Sequence, residues 1–223
     1  MNKAKIAEIF KSIQGEGRYA GLLQTFIRFY GCNLHCDYCD TKLTRYAAYS
    51  VKELTDTISS LPYRTQWLAL TGGEPLCQIA FLEKLLPYVS PYKFKIYLET
   101  NASRPKALKK IIKWCDVISC DIKLPSATKR KSLWSVHDDF FSIAKKKELF
   151  FKVVITTKTR FVEIKRLNIF MKEKKRYSVY LQPDLSKSSK KVLANTLVFQ
   201  EYLLDQRIDA RVMPQMHKML NVR

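Results

Sequence analysis

Short apolar runs suited to strands alternate with stretches of helical periodicity along almost the whole chain. That alternation limits the possible folds more than any other feature. Strands are expected over residues 5–10 and 24–30, then over 67–70, 93–99, 117–122, 149–155, 177–181 and 210–212. Helices are expected over 51–61, 79–88, 138–147, 161–174 and 190–204. Val51, Leu54, Ile58 and Leu61 recur at helical spacing. Phe94, Ile96 and Leu98 alternate onto one face. Pro105 suits a first helical position and opens a run carrying Leu108, Ile111, Ile112 and Cys115. A β-then-α rhythm of this kind argues for a parallel sheet with crossover helices. Residues 124–137 read as an exposed loop. No repeat of 20–50 residues and no long low-complexity segment interrupts the pattern, so residues 1–223 are expected to form one domain.

The chain is long enough for one sizeable core. No stretch approaches the roughly 20 apolar residues that span a bilayer, and the first residues lack an apolar leader core. A cytoplasmic protein without a membrane partner is expected. Residues 1–90 carry 10 Lys/Arg against 8 Asp/Glu, and residues 91–223 carry 30 against 12, so nearly all of the net +20 lies in the second part. Such a half can attract a polyanion, but no aromatic residues interleave with the lysines in a stacking pattern. A solvated basic surface is the simpler reading, and nucleic acid is not required.

Three of the six cysteines sit in Gly31-Cys32-Asn33-Leu34-His35-Cys36-Asp37-Tyr38-Cys39-Asp40-Thr41. A C-x3-C-x2-C loop of this kind, placed after a strand, suits a metal better than a disulfide framework. Three thiolates can hold three irons of a cubane and leave the fourth open to a ligand. A structural zinc site with His35 or His137 as fourth ligand is the alternative, although His35 directly precedes Cys36 and no second C-x-x-C pair follows. Cys77, Cys115 and Cys120 are expected to be buried free thiols.

The cysteine loop, with Tyr38 just before its last cysteine, resembles the signature of the radical S-adenosylmethionine (SAM) superfamily. Thr71-Gly72-Gly73-Glu74-Pro75-Leu76 resembles the superfamily's glycine-rich strand end. Two glycines there bare the backbone for close approach, and Glu74 can accept hydrogen bonds from an ammonium. A narrower resemblance covers nearly the whole chain. Glu8-Ile9-Phe10-Lys11-Ser12-Ile13-Gln14-Gly15-Glu16-Gly17, Phe26-Ile27-Arg28-Phe29, Cys39-Asp40-Thr41 and Met213-Pro214-Gln215-Met216-His217-Lys218 together resemble the 7-carboxy-7-deazaguanine synthase family.

That resemblance implies a partial TIM-like (β/α)6-type barrel with reduced helix content and ligands at the carboxyl ends of its strands. It implies a 4Fe-4S cluster, SAM and Mg2+ as cofactors. The implied reaction is the ring contraction of 6-carboxy-tetrahydropterin to 7-carboxy-7-deazaguanine with loss of ammonia, in 7-deazapurine biosynthesis. A homodimer reduced by a flavodoxin- or ferredoxin-type donor comes with it. By resemblance Cys32, Cys36 and Cys39 hold the cluster and Thr41 binds magnesium. Ile13, Gln14, Gly15, Arg28 and Thr71 contact the substrate, the fork of Arg28 suiting a carboxylate. Tyr38, Asp40, Gly73, Glu74, Glu99, Asp121 and Lys123 contact SAM. Each has a plainer reading taken alone: Gln14-Gly15 a turn, Arg28 an exposed strand residue, Glu16 a partner for a lysine, Thr41 a cap, His217 and Lys218 a solvated tail. The strong charge of residues 91–223 is not part of the family pattern. A glycyl-radical-enzyme activase is the main rival function, and a zinc-containing nucleic-acid-binding module is the second.

Overall fold

In the strands that face helices, one set of side chains meets the helices and the alternate set meets a small aromatic plug. The computed structural model describes residues 3–39, 43–61, 65–89, 94–128, 132–186 and 188–222. Its strands are β1 (Ala4–Ile13), β2 (Leu23–Phe29), β3 (Ala47–Tyr49), β4 (Trp67–Gly72), β5 (Lys95–Thr100), β6 (Val117–Asp121), β7 (Glu148–Ile155), β8 (Val179–Pro183) and β9 (Ala210–Val212). Its helices are α1 (Val51–Ser60), α2 (Ile79–Val89), α3 (Pro105–Ile111), α4 (Pro125–Thr128), α5 (Trp134–Ala144), α6 (Phe161–Met171), α7 (Ser189–Asp205) and α8 (Met216–Met219). The strands form one sheet in the order β3-β1-β2-β4-β5-β6-β7-β8-β9. β1 runs antiparallel to both neighbours. From β2 through β4 to β9 every pairing is parallel. The sheet does not close, so this is a partial α/β barrel of the expected class.

The period-2 rule explains the two cores. Leu68 and Leu70, Ile96 and Leu98, Ile118 and Cys120, and Phe151 and Val153 face outward into the large cluster shared with α1, α2, α3, α5, α6 and α7. Phe10, Phe26, Ala69, Tyr97, Val117, Phe150 and Tyr180 face inward and fill the lumen. Phe10 stacks on Phe26 with centroids 5.1 Å apart, and Phe150 meets Tyr180 edge to face at 5.2 Å. The plug closes the lower part of the barrel. Polar inward residues are thereby left at the carboxyl ends of the parallel strands.

Residues 124–137 are not one exposed loop. They hold α4 and the first turn of α5, and Leu124, Ala127, Trp134 and His137 are buried. Pro125 starts α4, as its fixed φ allows. The buried Glu163 carboxylate accepts the Ser126 N–H at 2.8 Å and the Arg160 N–H at 2.9 Å, which pins α4 to the start of α6. β3, three residues on the sheet edge, carries too short a pattern to be read in advance. Cys115 and Cys120 are buried as expected. Cys77 is only half-buried, because its short helical turn faces the cysteine loop, with its sulfur 3.7 Å from Asn33 Oδ1.

Candidate active site

The cysteine loop leaves β2 directly and is clamped by the glycine turn after β4. The Gly73 N–H donates to the Phe29 carbonyl and the Glu74 N–H to the Gly31 carbonyl, each at 2.9 Å. The fit is backbone on backbone. A Cβ on Gly73 would lie 2.1 Å from the Gly31 oxygen, and one on Gly72, at φ +126°, would lie 2.3 Å from the Phe29 oxygen. Both positions need glycine. From the other side, the Asp37 N–H donates to the Ala127 carbonyl of α4 at 2.9 Å.

Glu74 is fully buried, and its two oxygens are taken by protein donors. Oε1 accepts from the Leu76 N–H and the Thr100 hydroxyl, and Oε2 from the Asn101 N–H, at 2.8–3.1 Å. Burial pushes its carboxyl above the usual range. Glu74 therefore acts inward, tying the glycine turn to the end of β5. It is Gly73 that leaves bare backbone beside the cysteines. Asn101 completes the join: its amide donates to Asn33 Oδ1 at 3.0 Å and approaches Cys32 Sγ at 3.7 Å. Sequence reasoning missed Asn101 and Asn33, whose only signal is their place at a strand end and between two cysteines.

Gln14, Thr71 and Glu99 meet above the plug. The Thr71 hydroxyl donates to Glu99 Oε2 at 2.7 Å and Gln14 Nε2 to Glu99 Oε1 at 2.8 Å. Gln14 Oε1 accepts the Glu16 N–H at 3.0 Å. Ile13 ends β1 just before this turn. Arg28 lies on the same inner face of β2, half-buried rather than exposed. Its Nε stands 2.8 Å from the Glu8 carboxylate, and its guanidinium lies over the Phe10 ring.

A second group starts on the opposite wall and runs back to the turn of residues 13–17. Lys123 Nζ donates to Asp121 Oδ2 at 2.6 Å and to the Tyr38 hydroxyl at 3.0 Å. Burial works against the Lys123 cation, but Asp121 and Tyr38 keep it well above its ordinary value. Burial also pushes the Tyr38 phenol up. Lys152, inward on β7, pairs with both Glu16 and Asp121. Burial would raise the Glu16 carboxyl, but Lys152 and Gln215 bring it below the usual carboxylate range. Both partners are thus charged. Glu16 does pair with a lysine, as its plain reading had it, but the pair lies inside the site. Gln182 and Gln215 donate to Glu16 Oε1 at 3.1 and 2.6 Å. Lys152 and Gln182 went unread, and Gln215, though part of the C-terminal motif, was given no role of its own. A lysine inside the apolar run Phe150-Phe151-Lys152-Val153-Val154 was the available signal, since a buried cation needs partners.

His217 is not part of a solvated tail, although Lys218 is exposed. The Met216 N–H donates to the Gly15 carbonyl at 2.9 Å, and a Cβ on Gly15 would lie 1.9 Å from the His217 ring. His217 therefore requires a glycine beneath it. Asp40 and Thr41 lie outside the described residues.

The thiols suit a thiolate-bound cluster. Cys32 and Cys39 are exposed and Cys36 is partly so. Cys32 Sγ is approached by the Leu34 N–H at 3.4 Å as well as by Asn101. N–H donors aimed at sulfur are the contacts a thiolate accepts and that tune a cluster. Burial raises the Cys32 and Cys36 thiols, and metal coordination reverses that by removing the proton. The zinc alternative through His137 is overturned. His137 is 2 % exposed, its Nδ1 lies 3.2 Å from the Ala102 carbonyl, and its Nε2 accepts the Lys123 N–H at 3.3 Å. Neither ring nitrogen is left for a metal. Among the described residues no three His, Cys, Asp or Glu side chains converge on a single-ion site.

Cysteine loop, glycine turn and partial barrel together define a radical SAM protein, and the model of the radical SAM superfamily matches residues 26–157. A radical SAM enzyme uses a 4Fe-4S cluster and SAM. The relatives narrow the class. The chain is 32 % identical to the 7-carboxy-7-deazaguanine synthase of Geobacter sulfurreducens, covering 97 % of both chains. It is 33 % identical to that of Archaeoglobus fulgidus, covering 99 % of this chain and all of the relative. The chain belongs to the 7-carboxy-7-deazaguanine synthase family. The crystal structure of QueE from Escherichia coli has the same fold, with a TM-score of 0.63 at 21 % identity over 96 % of this chain and 95 % of that one. No helix among the described residues is long and apolar enough to cross a membrane.

Proposed function

We propose that the chain converts 6-carboxy-5,6,7,8-tetrahydropterin to 7-carboxy-7-deazaguanine with release of ammonia, as a carbon–nitrogen lyase of queuosine- or archaeosine-type biosynthesis. One observation carries this reading. The cysteine loop, the Gly72–Gly73 turn and the Gln14–Glu99–Thr71 cluster converge at one end of the sheet, beside residues 213–218. Membership of the family supports the same reaction. Cys32, Cys36 and Cys39 would hold the cluster, with its fourth iron open to SAM. When bound, the cluster and SAM would supply one-electron reduction and radical chemistry at the substrate.

The chain's own residues bind, orient and exclude water. Gly73 offers bare backbone to the amino end of SAM. Tyr38, Asp121 and Lys123 form the cofactor wall, and the resemblance adds Asp40 to the contacts with SAM. Ile13, Gln14, Gly15, Arg28 and Thr71 form the substrate wall, and Glu99 stands between the two. Glu99 already accepts from Thr71 and Gln14, and its remaining lone pairs suit the N–H donors of a pterin edge. The outer nitrogens of Arg28, whose Nε faces Glu8, suit the substrate carboxylate. Residues 213–218 cover the Gly15 turn and keep water out.

Thr41 would supply a hard oxygen ligand to magnesium alongside the substrate carboxylate, and the metal would stabilise charge there. Its requirement is tested by turnover with the metal chelated and then restored. Residues 1–223 are read as one radical SAM domain, homodimeric, reduced by a flavodoxin- or ferredoxin-type donor and resident in the cytoplasm, where thiols stay reduced. The test of function is turnover. Reconstituted, reduced enzyme given SAM and the carboxypterin should yield the deazapurine chromophore and ammonia. SAM cleavage without either product would favour an activase instead.

A further inference from the structure

An unbroken chain of charged and polar contacts crosses the site from the cysteine loop to the C-terminal segment. The Tyr38 hydroxyl accepts from Lys123 at 3.0 Å, and Lys123 pairs with Asp121 at 2.6 Å. Asp121 lies 3.5 Å from Lys152, and Lys152 pairs with Glu16. Glu16 then accepts from Gln182 at 3.1 Å and Gln215 at 2.6 Å. The four charged side chains are 9–15 % exposed. Lys152 is the hinge of this chain. It comes from β7 and faces both walls.

A buried cation between two carboxylates is stable only while both are in place, because losing one leaves an uncompensated charge out of water. Glu16 belongs to the turn of residues 13–17, which the C-terminal segment covers. Asp121 belongs to the strand end that carries Lys123 and reaches Tyr38. Order on one wall is therefore required for order on the other. A ligand that fixes one wall lessens the conformational entropy its counterpart must remove.

We propose that Lys152 is a positioning residue that couples the two walls, so that the carboxypterin and SAM each bind more tightly in the presence of the other. This rests on the function proposed above. Coupling of this kind is reciprocal and typically amounts to about 5- to 150-fold in affinity.

The test measures SAM affinity of the anaerobic, cluster-loaded enzyme with and without saturating 6-carboxy-tetrahydropterin. Wild type is expected to tighten at least about fivefold. Lys152→Met is expected to bring that ratio close to one, a readout that a general loss of stability would not produce. Lys152→Arg, which keeps the cation, should restore part of it. Gln215→Leu cuts the chain at its far end and should reduce the ratio even if Lys152→Met fails to fold. Wild type that binds both ligands without coupling, or variants that keep the full ratio, would overturn the proposal while leaving the assigned reaction intact. Wild type that binds SAM but not the pterin would overturn the assigned reaction and the proposal together.

Discussion

Single atoms decide much of this site. Gly73 touches the Gly31 carbonyl so closely that no side chain fits. Gly73→Ala should force the two backbones apart, at a cost of about 1–3 kcal/mol. Cluster retention and SAM affinity should both fall, the latter at least about tenfold, as read by a SAM titration. His137 makes a second prediction. Burial depresses its imidazole from 6.5 to about 4, so the unfolded chain takes up a proton first as pH falls. Its stabilising contribution is complete above about 6.5 and is lost towards pH 4, by up to about 3 kcal/mol. Denaturant titrations across that window should show a slope that His137→Gln flattens. A wild-type slope equal to that of the variant would contradict the assignment.

Among the elements, α1 is held by a capping box, with the Glu53 N–H donating to the Ser50 hydroxyl at 3.2 Å and Glu53 accepting the Ser50 N–H at 2.6 Å. Ser50→Ala should cost about 1 kcal/mol in urea unfolding and leave SAM affinity unchanged, because α1 packs on the outer core away from the site. The parallel strands were legible from short apolar runs, and the main crossover helices from 3.6-residue spacing, because both are local patterns. α4 was not. Its four residues are ordered by a carboxylate that stands 37 positions further along, Glu163, and no local pattern reports that. The same holds inside the site. Cysteines and glycines announce themselves through spacing. The Lys152–Glu16 pair spans 136 positions and exists only once β7 faces the turn after β1.

At the scale of the whole molecule, two cores divide the labour. The outer core fastens helices to the sheet. The inner aromatic plug stops short of the strand ends, and the remaining space carries polar groups from β1, β2, β4, β5, β6, β7 and β8. Order in the site is therefore a property of the complete sheet rather than of any one motif. Central to the proposed function are three thiolates that would share a cluster and leave one iron for SAM. The most direct test is iron and sulfide analysis of anaerobically reconstituted protein, joined to electron paramagnetic resonance of the reduced state before and after SAM is added. About four irons per chain, a spectrum that changes on adding SAM, and loss of both in Cys36→Ala are the results predicted. A colourless protein holding one zinc, or a cluster whose spectrum ignores SAM, would contradict it.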